Sequence, residues 1–464
     1  MAESDTCFVL MPFGRKANPF PGPCQINFDN VYEKVIVPAV KRAGLEPLRA
    51  DQEISGGLIH LAMFERLLLC KYAVADLTTA NPNVYYELGI RHAVRPWSTV
   101  LLCEKRSRLP FDVGDLRAYM YSIDDNGELS NSDDDVGEIG RRLDDVKKKV
   151  EKDDEVTQDS PLFTLLTGHG YAGPDLTQLE AKMNDRAEFC KELETVRNVS
   201  GGKAVEMLQE IQKKYLPGTI DNAPVLFELF MAYRRVAAWK EMVALLGQMP
   251  PCLRKSVSVQ EQYGMALGRL GDFDGAEEVL NGLIDKRGPT ALTFCFLGVV
   301  RELRLLKVRE NVKAGEKSEN VEVQGALINA IEAFRAAFKL DPRMIFAGIN
   351  AVALMDVKDP SDQELKDILP VVRYFIHDAV DSGKAAFWEH SAALEMSVLD
   401  NDKDRAAKAL DLLKSDEHEP WMPVSALAIL SLIREHREKR GAGQPWYLEV
   451  EDALQRLSQK TQPV

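Results

Sequence analysis

The residues whose types and spacing suit chemistry cluster in one stretch, Asp76-Leu77-Thr78-Thr79-Ala80-Asn81-Pro82-Asn83-Val84-Tyr85-Tyr86-Glu87-Leu88-Gly89. The five residues ending at Asp76 are apolar apart from that carboxylate and read as a buried strand. Asn81 suits a helix N-cap, and Pro82 suits the first helical position, where its missing N–H is not needed. Asn83, Glu87 and Arg91 then fall four apart and share one helix face. In open α/β sheets ligands bind outside the carboxyl ends of the strands. Asp76 and Glu87 would sit near such a crevice. Two carboxylates converging there could orient a sugar, stabilise developing positive charge or attack a carbon. The same residues have a plainer reading: Asn81 only caps, Glu87 and Arg91 form an exposed ion pair, and Asp76 binds loop amides. Only the structural context decides between the two.

The elements that must position these groups follow an alternating pattern. Strands are predicted over residues 7–11, 46–50, 72–76, 98–103 and 118–123, and helices over 28–43, 58–70 and 83–94. Pro38 is expected to kink or split the first helix, and Gly44 to end it. Strands separated by helices of this length give a parallel sheet covered on both faces. Five strands point to an α/β domain of flavodoxin-like order over residues 1–123. Residues 124–174 read as an acidic, partly helical linker: Asp133-Asp134-Asp135 has no apolar partner, and residues 136–150 would form an exposed helix.

Residues 175–464 read as helix after helix. Gly264 and Gly298 are 34 residues apart, each flanked by large apolar residues, and Ala333 to Leu340 ends in Asp341-Pro342. Ala406-Ala407-Lys408-Ala409-Leu410 echoes that helix. The period and the small residues at helix contacts point to tetratricopeptide-like repeats, with an irregular helical bundle as the other reading. Residues 307–323 read as a polar insertion.

Composition excludes several classes. Apolar residues make up 45% of the 464, enough for ordinary cores, yet no run approaches the roughly 20 apolar residues that span a bilayer. The acidic start, Met1-Ala2-Glu3-Ser4-Asp5, is not read as a signal peptide. Seven scattered cysteines with no C-x-x-C pair fit a reducing cytoplasm and argue against a disulfide scaffold or a metal site. A net charge of −14 argues against general nucleic-acid binding. Gly315-Glu316-Lys317-Ser318 lacks the order of a phosphate loop. His169 reads as a loop histidine, and Trp388, Trp421 and Trp446 as core.

Four segments in order carry a family resemblance: Phe8-Val9-Leu10-Met11-Pro12-Phe13-Gly14; Arg49-Ala50-Asp51; Ala75-Asp76-Leu77-Thr78 with Asn81 to Gly89; and Leu109-Pro110-Phe111-Asp112 with Arg117 and Tyr121. Residues 7–123 resemble the nucleoside 2-deoxyribosyltransferase-like group, also described as deoxyribohydrolase-like and related to Toll/interleukin-1 receptor-like (TIR) domains. The helical part resembles the tetratricopeptide-type domain paired with this module in bacterial conflict systems and in the N-terminal region of apoptosis signal-regulating kinases.

The resemblance implies cleavage of an N-glycosidic bond in a nucleotide or dinucleotide such as NAD, used as substrate with no separate cofactor. Glu87 matches the catalytic glutamate and Asp76 the carboxylate closing the preceding strand. Asn81 stands where the transferases carry a base-binding aspartate, which favours hydrolysis. Phe13 and Gly14 match the loop over the ligand; Arg49, Asp51, Asn83, Tyr86 and Arg117 complete the expected substrate site. An N-glycoside breaks through an oxocarbenium-like centre that a carboxylate can trap or stabilise. Amides near Gly14 would face phosphate, and Arg49 or Arg117 would pair with it or form structural salt bridges. The implied protein is a bacterial immune or stress effector, with a homo-oligomer among its expected states, regulated by a protein or small ligand on its repeats. The alternative is a non-catalytic nucleotide-sensing and protein-scaffolding module.

Overall fold

The computed structural model describes residues 5–22, 25–52, 59–95, 98–110, 113, 118–152, 177–197, 199, 201–219, 223–313, 319–383 and 385–460. Arg117, His169 and the stretch 315–318 lie outside the described residues. The chain divides into two compact units, Met1–Asp185 and Arg186–Val464.

The first unit is built on strands β1 (Thr6–Leu10), β4 (Glu46–Arg49), β5 (Tyr72–Asp76), β6 (Thr99–Glu104) and β7 (Tyr119–Tyr121). They form one parallel sheet in the order β4-β1-β5-β6-β7. Counting sheet strands along the chain, that is 2-1-3-4-5, the flavodoxin-like order. Successive strand side chains point to opposite faces, so each strand feeds two cores. Cys7, Val9, Val74, Val100 and Leu102 pack under the first helical run, which is helix Phe28–Val31, a π turn Tyr32–Ile36 and helix Val37–Arg42, together α1. Phe8, Leu10, Ala73, Ala75 and Leu101 pack with Leu67 of α2 (Ile59–Leu69) and with Val84 and Leu88 of α3 (Pro82–Val94). Pro38 splits the first run as expected: it has no N–H for the carbonyl one turn back, and the π turn before it absorbs the misfit.

Two features of this unit differ from expectation. A short antiparallel hairpin, β2 (Arg15–Ala17) with β3 (Gln25–Asn27), follows the first strand. The helix expected to be exposed, α4 (Ser132–Lys152), instead buries Ile139 and Leu143 in the core beneath α1, with Val136, Val146 and Val150 alongside. Its acidic and basic residues hid an apolar stripe at helical spacing. Asp135, from the acidic run, is itself buried and accepts a 2.7 Å hydrogen bond from the Tyr119 hydroxyl.

The second unit is helical among its described residues. After α5 (Thr177–Val196), α6 (Gly201–Thr219), α7 (Ala223–Arg235), α8 (Trp239–Leu246) and the short α9 (Pro251–Arg254), helices pair as hairpins. The pairs are α10 (Val257–Leu270) with α11 (Phe273–Arg287), α12 (Ala291–Lys313) with α13 (Glu319–Leu340), α14 (Ile345–Lys358) with α15 (Gln363–Asp381), α16 (Phe387–Leu399) with α17 (Lys403–Ser415), and α18 (Met422–Lys439) with α19 (Trp446–Lys460). The stretch expected as a polar insertion instead extends α12 to Lys313 and starts α13 at Glu319. A Cβ on Gly264 would lie 2.8 Å from Leu280, and one on Gly298 would lie 2.5 Å from the Phe334 ring. Each glycine lets the first helix of its hairpin approach the second closely, which gives the 34-residue spacing a packing cause. No described helix is long and apolar enough to cross a membrane.

Candidate functional site

The carboxyl ends of β5, β6 and β7 carry a buried polar network. Asp76 is fully buried at the end of β5. Its Oδ1 accepts from the Thr78 amide at 3.0 Å, and its Oδ2 accepts from the Tyr121 hydroxyl at 2.9 Å. The Thr78 and Tyr121 hydroxyls lie 3.0 Å apart, and the Glu104 amide donates to Thr78 Oγ1 at 2.9 Å. Glu104, buried at the end of β6, is held by the Arg106 guanidinium at 3.1 Å and the Arg106 amide at 2.8 Å. Burial pushes the Asp76 carboxyl up to about 6 against the hydrogen bonds from Thr78 and Tyr121, and the Glu104 charge adds to the rise.

The loop leaving this network is strained. Thr79 and Ala80 both adopt left-handed backbone conformations, with φ of 67° and 51°. A β-branched residue there is an outlier that its surroundings must enforce, at a cost of about 1–3 kcal/mol. Asn81 then caps α3, accepting from the Asn83 amide at 2.9 Å. Asn83 is exposed.

Glu87 follows one turn on. It is half-buried, and among the described residues its carboxylate makes no hydrogen bond or ion pair. Desolvation pushes it up to about 7. The exposed ion pair with Arg91 does not form. Arg91 is fully buried, donating to the carbonyls of Leu67 at 2.9 Å, Lys71 at 2.8 Å and Cys70, and to Ser98 Oγ at 2.9 Å. It closes the C-terminal end of α2, where carbonyls lack helical partners. Tyr86 is 61% exposed and stacks edge-on against Phe64. Its neighbour Tyr85 turns inward: among the described residues its buried hydroxyl has no hydrogen-bond partner, and burial, with Cys103 and Asp76 nearby, pushes it up to about 12.

The groups expected to meet phosphate gather at the ends of β1 and β4, but carboxylates of the chain occupy them. Arg49 donates to Asp51 at 2.6 and 2.8 Å and to Asp29 at 2.9 Å, and its guanidinium lies 4.5 Å from the Tyr32 ring and 5.3 Å from the Phe13 ring. The Gly14 amide, at a left-handed turn, donates to Asp29 at 3.2 Å. Phe13, Gly14, Arg49 and Asp51 thus lie together around Asp29, which the sequence did not single out. Thr78, Tyr85, Glu104 and Arg106 were also missed as site residues. Glu104 repeats the pattern of Asp76, an apolar strand ending on a carboxylate; the partners of the Thr78 hydroxyl are long-range and leave no local signal, and nothing local marks which of Tyr85 and Tyr86 turns inward.

Among the described residues no group of three or more His, Cys, Asp or Glu side chains could hold a metal ion. The arrangement offers one partnerless carboxyl, Glu87, poised to exchange a proton near neutrality or to face a cation, beside a rigid network that fixes Asp76.

Comparison with known proteins adds one positive finding. No curated protein gives a significant match. A family model, the MAP3K TRAFs-binding domain, matches residues 84–449. That span starts in α3, the helix of Glu87, and runs through α18 into α19. With the model matched over well over half of its length, the chain belongs to the MAP3K TRAFs-binding domain family.

Proposed function

We propose that this chain is a signalling scaffold that docks a TRAF-type adaptor protein through its helical unit and uses its α/β unit as a nucleotide-responsive module. The observation that carries this reading is the family match across residues 84–449. The helical surface supports it: Val371 and Tyr374, one turn apart on α15, are 43% and 64% exposed, an apolar pair suited to a protein partner. The test is size-exclusion chromatography of the full chain with a purified TRAF domain. Co-elution is expected; separate elution at concentrations well above those of a transient signalling contact contradicts the reading.

A second reading is favoured by one observation, the partnerless Glu87 carboxyl raised to about 7. On this reading the α/β unit, resembling the deoxyribosyltransferase-like and TIR-related group, hydrolyses the N-glycosidic bond of NAD or a related nucleotide. Water adds to the anomeric carbon as the C–N bond breaks: nicotinamide leaves NAD as a neutral base and the water's proton is released, whereas the base of a neutral nucleotide leaves carrying that proton. Glu87 stabilises or traps the cationic sugar. Asp76, already bonded to Thr78 and Tyr121, acts as a positioning residue. Arg49 and the Gly14 amide are engaged by Asp29 and Asp51, so phosphate recognition falls to other groups. Released base is measured chromatographically after incubation with NAD, ATP and deoxynucleotides. Release by the native chain that is lost in Glu87→Gln supports this reading, and no release from any substrate removes it.

A further inference from the structure

In stacked helical repeats each unit touches only its neighbours. The link between α17 and α18, residues 416–421, breaks that rule. Glu417 pairs with Arg197, just past α5, at 2.5 Å, and Glu419 pairs with Arg234 of α7 at 2.5 Å. The Trp421 ring lies 6.0 Å from the ring of Trp239, the first residue of α8. The Arg269 guanidinium of α10 lies 5.0 Å from the Trp421 ring and 5.9 Å from the Trp239 ring, and it donates to Ser425 at 2.8 Å. These hydrogen-bonded partners stand 156 to 220 residues apart, with helices α11 to α15 between them in sequence. On its other side the link meets α16: Asp416 lies 2.7 Å from His390 Nδ1, and the Trp421 ring 5.9 Å from the Trp388 ring.

The link is short, acidic and aromatic, Asp416-Glu417-His418-Glu419-Pro420-Trp421. Each of its three carboxylates meets an arginine or a histidine from another element. The face that receives it has the complementary chemistry, guanidinium groups interleaved with indoles, which suits carboxylates and aromatic rings together. The fit is imperfect. Arg234 Nε, Arg269 Nε and His418 Nε2 are buried with no hydrogen-bond partner among the described residues. The Arg197–Glu417 side chains are 53% and 87% exposed, and exposed pairs hold little. Release of the link would let water reach the unmet donors, which lowers the cost of opening. The body of α18 is fixed separately, with Ala426, Ile429, Leu430 and Ile433 in the core, so opening is confined to the link.

We propose that residues 416–421 are a releasable latch: an internal mimic of an acidic, tryptophan-bearing peptide segment of a partner protein, which takes the same basic and aromatic face when the latch swings away. The latch stands apart from adaptor docking, because its test reads only this face and an acidic peptide.

The test uses the full chain and a fluorescein-labelled synthetic peptide of residues 414–423, followed by fluorescence anisotropy. The control peptide carries Asp416→Asn, Glu417→Gln and Glu419→Gln. Saturable binding of the acidic peptide is expected, weak in the native chain, where the resident latch competes. A chain carrying Glu419→Gln and Trp421→Ala should bind it about tenfold or more tightly, because its face is open for a larger fraction of the time. The control peptide should bind either chain at least about tenfold more weakly, as loss of charge-assisted hydrogen bonds does. No saturable binding to the native chain at millimolar peptide overturns the proposal, and that measurement needs no variant. So does equal binding of the acidic and control peptides. Equal affinity of the native chain and a variant chain with native helical circular dichroism overturns it as well, since the link would then be fixed structure.

Discussion

At the scale of single residues, two positions four apart on α3 have opposite fates. Among the described residues Glu87 holds no partner, and Arg91 holds the end of a neighbouring helix. Arg91→Ala leaves the buried Leu67 and Cys70 carbonyls and the part-buried Lys71 carbonyl without their donor, each buried one costing about 1–3 kcal/mol. The expected loss is about 3 kcal/mol or more, read from the midpoint shift in urea unfolding at unchanged slope. Glu87→Gln removes a half-exposed carboxylate that pairs with no described residue, so the same measurement should move by less than about 0.5 kcal/mol. Equal losses in the two variants would show that the exposed ion pair exists after all. The spacing of Asn83, Glu87 and Arg91 was plain in the sequence, but which of them would be buried was not. Burial is decided by the carbonyls of α2 and by Ser98, brought in from elsewhere in the chain.

At the scale of elements, close helix contacts rest on glycine. Gly298→Ala drives a Cβ to 2.5 Å from the Phe334 ring, which sits fully buried and cannot yield cheaply. A loss of about 1–3 kcal/mol is expected, as for other overpacked cores. Gly282→Ala, also in a helix but with nothing within 4 Å, should instead stabilise by about 0.5–1 kcal/mol. Thermal melts of the two variants against the native chain check both signs; a gain at Gly298 would show that the hairpins are looser than described. The helices and the five strands were legible, because each rests on a local period of apolar residues, and the strand order followed from five strands alternating with helices in about 120 residues. The packed helix α4 was misread since its charges outnumber its apolar stripe. The β2–β3 hairpin was missed because its strands are three residues each. The Asp76–Tyr121–Thr78–Glu104 network was legible only at its first member, as its bonds join strand ends up to 45 residues apart.

At the scale of the whole molecule, charge buried in the helical unit should set the pH response. Desolvation raises Glu302 to about 7 and Glu395 to about 8, each increased or offset by its neighbours: Glu302 adds to Glu395, and Arg269 lowers Glu302. Both folded-state values lie above the unfolded one, so the folded chain binds more protons than the unfolded chain. Their stabilising contribution is full below the unfolded value and is lost as pH rises through about 5 to 8. The native chain should lose on the order of 6 kcal/mol over that window, and the double variant Glu302→Gln, Glu395→Gln markedly less. Parallel slopes in denaturation at several pH values would refute this. The central claim is that the helical unit, and not the sheet, carries the protein partner. Calorimetric titration of a purified TRAF domain into the full chain, and into a chain lacking residues 1–176, tests it most directly. Equal dissociation constants for the two, on the order of micromolar, are predicted. Binding by the full chain that vanishes in the shortened one, with its helical circular dichroism intact, would contradict the account.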